Sequence, residues 1–329
     1  MSPVLSRARL VLLLAMLLPH GASAQGSRGY ATLVSQFTEW RAFEEPPRVN
    51  GVPDYSPATN TRRLQGLRQR LAKLAAIDTT GWSIPERVDL HLVRAEMHGM
   101  QYHLTVLRPW ARDPAYYASV RTAESDTPAE EGPNIHGLIR LWQYSVWPRT
   151  KLDTASPLTP AAAAQLTREL RTIPPLLRQA RINLAGATAR DLWLGGVRAI
   201  EEQGEALELL ERRVGTGTPE LVAAIRDAHA ATTAFASWVQ AEAPKRTGPS
   251  GIGKAQYTWF LRNVLLVPLS WEDEVSITRR ELARAHASLR LEETRNAGLP
   301  ELAVAETPEA HAALQERGLQ RLMRFVAGG

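Results

Sequence analysis

The chain of 329 residues is 44% hydrophobic, enough to bury an ordinary core in two domains or in one large helical one. It contains no cysteine, which removes disulfides, thiolate catalysis and cysteine–zinc sites and leaves only His, Asp or Glu to hold a metal. The formal charge of +5 is spread among interleaved acids and bases, as in ELRTIPPLLRQAR and RRELARAHASLRLEETR, where a nucleic-acid partner would require a one-signed stripe.

The first 24 residues differ from the rest. Arg7 and Arg9 precede the apolar run LVLLLAMLL (10–18), and Ala22-Ser23-Ala24 supplies small residues at a cleavage site, the layout of a secretory signal peptide. The run is short for a bilayer span, so an uncleaved anchor is the weaker reading. No cysteine follows it, which excludes lipid attachment through a lipoprotein cysteine. Removing the leader takes away two bases and no acid, so +5 becomes +3. No later stretch approaches 18 apolar residues, and the mature chain, 25–329, is expected to carry no stable membrane span and to reside in the periplasm or the medium.

Along the mature chain, helix signals recur and strand signals do not. Residues 44–58 read as a loop. Residues 60–77 place Leu64, Leu67, Leu71 and Leu74 on one side at helical spacing. Ser83-Ile84-Pro85-Glu86 is a capping box and opens a helix expected to reach about Leu107. Residues 122–134 and 244–253 are loops by composition. Thr218-Pro219-Glu220 starts a helix ending near Ala243-Pro244, Ser270 and the acids after it start another that Gly298 closes, and Thr307-Pro308-Glu309 starts the last. With no alternating β-branched run and no internal repeat, the expected fold is all-α, an antiparallel array of roughly eight to eleven helices with inserted loops.

The sharpest local motif is GPSGIGKA (248–255). Gly248, Gly253 and Lys254 have the spacing of a phosphate-cradling loop. Such a loop follows a buried strand and carries a Ser or Thr after its lysine as a magnesium ligand. Here QAEAPKRT precedes it and Ala255 follows the lysine, so no nucleotide is expected. Gly251 and Gly253 instead suit a tight turn into a helix on which Lys254 and Tyr257, three apart, share a face. Two readings stay open: a structural loop-to-helix junction, or a corner that contacts a ligand.

Other chemistry is sparse. None of the eight histidines precedes a glutamate, so His-Glu-x-x-His is absent. His91 and His98 share a helix face but lie about 10 Å apart, too far for one zinc. No Gly-x-Ser-x-Gly elbow occurs. Nine tryptophans, with aromatics concentrated at PAYY (114–117) and WQYSVW (142–147), read as core packing, with a sugar- or peptide-stacking groove as the alternative. On the helix after Ser270, Glu281, Ser288, Glu292 and Arg295 point within about 40° of one direction, with Arg284 beside them. That stripe is either a solvated face with local ion pairs or the wall of an internal cleft, and burial decides between them.

AEMHGMQYHLTVLRPWARDPAYY (95–117), QARINLAGATARDLW (179–193) and TGPSGIGKAQYTWFLRNVLLVPLSWEDEVSITRRELARAHASLRLEETRN (247–296) together resemble the bacterial domain-of-unknown-function-885 family, from about Tyr30 to the end of the chain. The resemblance implies an exported helical protein similar in outline to carboxypeptidase-Taq-like zinc peptidases, whose metal and acid/base residues lie in a C-terminal half. This chain looks like the N-terminal half. The resemblance therefore implies a scaffold for a peptidase-like hydrolase, incomplete at its C-terminus, with no zinc or other cofactor of its own and a peptide or the absent half as partner. It points to Gly251, Gly253, Lys254 and Tyr257, together with Arg280, Glu281 and Arg284, as cleft-lining, substrate-contacting residues, and assigns no catalytic or metal-binding residue. The alternatives are a non-catalytic helical binding module of the cell envelope, or a damaged gene product.

Overall fold

The computed structural model describes residues 28–122, 138–144, 158–215, 218–299 and 304–328. The leader at 1–24, His136 and most of the 122–134 loop lie outside these residues, and only 142–144 of the WQYSVW stretch lie within them. Eleven α-helices carry the described chain: α1 (Arg28–Glu44), α2 (Pro57–Ala75), α3 (Ile84–Tyr102), the single turn α4 (Pro109–Arg112), α5 (Pro160–Leu170), α6 (Ile173–Asn183), α7 (Arg190–Val214), α8 (Pro219–Glu242), α9 (Lys254–Asn263), α10 (Trp271–Asn296) and α11 (Pro308–Ala327). The strands are two residue pairs: β1 (Arg48–Val49) runs antiparallel to β2 (Val52–Pro53), and β3 (Val120–Arg121) lies parallel to β4 (Ile139–Arg140). The fold is all-α.

Helix starts are written in Ser/Thr–Pro pairs and in one capping box. Ser56, Thr159 and Thr307 each accept a hydrogen bond from the third residue after them, and a proline follows each, where its missing N–H costs nothing. Ser83 and Glu86 form the reciprocal box that opens α3. That helix continues to Leu107, as its pattern requires, but its last turn, His103–Leu107, is π-helical. Arg108 then closes it in the left-handed region, at φ 44° and ψ 48°, donating its N–H to the His103 carbonyl at 2.9 Å.

The chain divides into two units, Met1–Trp271 and Glu272–Gly329. Within the described part of the first lie two cores. One is built by α1, α2 and α3 around Leu33, Trp40, Leu67, Leu74, Met97 and Met100. The other is built by α5 to α8 and the 110–144 segment around Tyr117, Leu141, Trp193, Leu207 and Phe235. Polar side chains pin irregular backbone into this second core. Gln203 on α7 accepts from the Ser119 and Val120 N–H groups at 2.7 and 3.0 Å and donates to Thr232 of α8 at 3.0 Å. Asn183 of α6 donates to the Tyr55 carbonyl and to the Tyr117 hydroxyl, which itself donates to the Trp110 carbonyl at 2.6 Å. In the second unit, α10 and α11 bury none of their residues.

His103 is 5% exposed, its ring 5.8 Å from that of Tyr116. Burial, reinforced by the nearby Arg63 charge, pushes its pKa down to about 4, so the folded protein holds it neutral.

Two expectations follow. The unfolded chain, with an imidazole near 6.5, takes up a proton before the folded one does, so stability is lost as pH falls below 6.5 and the loss levels off below the folded value of about 4. Denaturant titrations from pH 7 to 4 should show wild type losing about 3 kcal/mol more than His103→Gln. Gln203→Ala leaves two buried N–H groups without an acceptor and should cost about 2–4 kcal/mol, read as a shift in the urea midpoint at pH 7.

Candidate functional site

The 244–253 loop is held by backbone and by two arginines. Gly248 pairs with the chain just before α7: its N–H donates to the Thr188 carbonyl at 2.8 Å, and Arg190 N–H donates to its carbonyl at 3.1 Å. The approach is so close that a Cβ on Gly248 would stand 2.6 Å from Thr188 Oγ1 and 3.0 Å from the Thr188 carbonyl oxygen. Ser250 Oγ accepts from the Asp191 N–H at 2.8 Å, supplying α7 with the cap that its own Ala189 lacks. Arg112 donates to the Pro249 and Ser250 carbonyls at 3.3 and 3.1 Å. Arg246 donates to the Ala187 carbonyl at 2.9 Å, pairs with Glu242 at 3.0 Å and lies 4.2 Å from the Trp193 ring centroid. The glycine that starts the phosphate-loop spacing is thus a docking point for backbone, preceded by a short 3-10 turn (Ala243–Lys245) and not by a strand.

The second half of the motif launches α9. Gly253 is its N-cap at φ 81°, a conformation that favours glycine; Gly251 sits in open space and needs no such freedom. Lys254 is the first helical residue, and its Nζ lies 3.9 Å from the Trp271 ring centroid, a cation–π contact. Tyr257 is half-buried and Leu261 is buried, while Leu265, past the end of α9, is 53% exposed.

The face of α9 that meets α3 is aromatic. Tyr102 stacks on Trp259, with centroids 5.7 Å apart and planes 6° from parallel, touches Phe260 at 5.0 Å and donates to the Gln256 carbonyl at 3.2 Å. His98 lies 5.5 Å from Trp259, with a pKa held below the ordinary imidazole value chiefly by burial. Beside this stack is a cavity of about 310 Å³ lined by Gln101, Tyr102, Thr105, Val106, Gln256 and Trp259. It sits where α3 passes into its π-turn, a distortion that recurs at functional sites. Two amide side chains beside an indole can hydrogen-bond and stack on a peptide-like or sugar-like group. Sequence reasoning missed Gln101 and Gln256. Trp259 was visible only as one of nine tryptophans, and the π-turn left no mark in residue spacing.

The other predicted residues stand in the second unit. Glu281 lies 3.6 Å from Arg280 and 3.4 Å from Arg284, with side chains 45%, 72% and 77% exposed, and Glu292 pairs with Arg295. These are ion pairs in water, each worth little to stability. Among the described residues no group of three or more His, Asp or Glu side chains that could hold a metal ion comes together. No helix among them is long and apolar enough to cross a membrane.

Gly248→Ala should destabilise the protein by about 1–3 kcal/mol through overpacking against Thr188. Ser250→Ala should cost about 1 kcal/mol as a lost cap. Thermal melts of both variants check this. A Gly248→Ala protein as stable as wild type would mean that the loop does not dock on Thr188.

A family described as bacterial protein of unknown function (DUF885) matches residues 46–321. No curated protein matches the chain. Among solved structures, the chain is similar to a provisionally assigned lipoprotein of unknown function from Shewanella oneidensis, with a TM-score of 0.52 and 14% identity over 89% of this chain. The chain spans about half of that structure's length, 52%. With the matched region running from the start of the β1–β2 hairpin segment to the last turns of α11, the chain belongs to the DUF885 family.

Proposed function

We propose that this chain is the scaffold side of an exported, peptidase-like hydrolase, its leader at 1–24 removed on export. One observation carries the reading: α10 and α11 bury none of their residues, yet they hold Leu282, Leu289, Leu319, Leu322, Met323 and Phe325 out at 53–79% exposure. Leu319, Leu322, Met323 and Val326 recur at helical spacing, the pattern of a face made to be covered. This chain matches only about half of the longer Shewanella structure, 52%, which is compatible with a further segment that covers such a face. In this reading the reactive centre is held by residues outside those described. This chain supplies walls and positioning for a peptide substrate: in the first unit the corner from Gly251 through Gly253 and Lys254 to Tyr257 is the proposed contact, and in the second unit Arg280, Glu281 and Arg284 are candidate contacts in their own right.

The amide-and-indole cavity at Gln101, Gln256 and Trp259 favours a second reading, a non-catalytic envelope module that binds such a ligand by itself.

Purified residues 25–329 decide the matter. The scaffold reading expects no stoichiometric tight divalent ion, no turnover in a peptidase screen, and strong enhancement of an apolar-surface dye that falls in a Leu319→Gln/Met323→Gln variant. Bound metal or peptide turnover would overturn it. A protein that leaves the dye dark while binding peptide or sugar would favour the module.

A further inference from the structure

Where α1 ends, the chain turns through Pro46 and Pro47 into the β1–β2 hairpin and returns along α2. A cavity of about 440 Å³ lies in that elbow, lined by Ala42, Phe43, Glu45, Pro46, Pro47, Arg48 and Arg63. Its size falls in the range of small-molecule sites. Apolar rings make much of its wall. Phe43 is fixed from two sides, by the Arg70 guanidinium 3.7 Å from its centroid and by Gly66, where a Cβ would stand 3.0 Å from the ring.

The unusual member is Arg63. It is 6% exposed, and its Nη2 donates to the Glu44 carbonyl at 2.5 Å, while its Nε is buried without a partner. Among the described residues no carboxylate stands in ion-pair contact with it. Glu44, whose carbonyl it bonds, holds its carboxylate 3.0 Å from Arg41 instead. The other groups felt by Arg63 are the hydroxyls of Tyr116 and Tyr55, neutral at ordinary pH. Arg48, exposed at the same cavity, donates to the Gly51 carbonyl at 3.0 Å and likewise contacts no carboxylate among the described residues. Among the described lining residues Glu45 is the one acid beside two arginines, which gives that part of the wall net positive charge. A guanidinium taken out of water without a countercharge is costly, and the fork of an arginine matches a carboxylate two donors at a time.

We infer that this elbow is a binding site for a small carboxylate with an apolar body, its carboxylate between Arg63 and Arg48 and its body against Phe43 and the two prolines. Nothing in this depends on the peptidase reading. A free organic acid and a peptide C-terminus present the same group, and the test separates them.

The mature chain is titrated calorimetrically with 3-phenylpropionate and with N-acetylphenylalanine, each beside its own amide. At least one acid should bind, its amide at least about tenfold more weakly, and Arg48→Ala or Arg63→Met should weaken the acid by about tenfold or more. Tighter binding of N-acetylphenylalanine assigns the site to a peptide terminus; tighter binding of 3-phenylpropionate assigns it to a free acid. Circular dichroism shows whether Arg63→Met folds, and Arg48→Ala, at an exposed position, carries the test if it does not. Acids and amides that bind alike, acids that do not bind, or an Arg48→Ala protein with undiminished affinity would each overturn the assignment.

Discussion

A helix with an apolar stripe is at home in water only when something covers that stripe, and in an all-α protein the covering must be another helix or a well-tied loop. The first unit of this chain obeys the rule. α1, α2 and α3 close on Trp40 and the two methionines, and α5 to α8 close on Trp193 and Phe235. The second unit does not obey it by itself: α10 and α11 keep their leucines in solvent. That contrast, more than any catalytic motif, is what the scaffold proposal rests on.

Covering helices with loops raises a second problem, because loop backbone buried in a core needs partners for its N–H and C=O groups. Here side chains provide them. Gln203 receives two amide hydrogens from the 119–120 segment, Asn183 reaches both Tyr55 and Tyr117, and Ser250 caps α7 from more than fifty residues away in sequence. The same economy explains the glycine-rich loop. Gly248 lets two backbones meet at Thr188, and Gly253 starts α9, so a phosphate-like spacing arises from two separate packing needs.

Arg63 is one of several buried side chains with an atom that finds no partner among the described residues, and it is the one of them that lines the elbow at the end of α1. Buried polar groups that lack partners are rare enough to ask for a reason, and a ligand is one.

Much of the fold could be read from local chemistry. The capping box at Ser83, the Thr–Pro starts at 218 and 307 and the leucine spacing of 60–77 each fixed a helix, because capping and amphipathic spacing act within one or two turns. The strand pairs went unread because two residues carry no period, and α7 went unnamed because its cap, Ser250, is distant in sequence. Sequence by itself determined the helical class and the family resemblance, both written in contiguous residues. Only tertiary structure decided that Lys254 faces Trp271, that Gln101 and Gln256 share a cavity, that Arg48 and Arg63 line another, and that the Glu281 stripe stands in water. Those facts depend on which distant segments meet, and a side chain's charge, exposure and partners are set by that meeting and not by its neighbours along the chain.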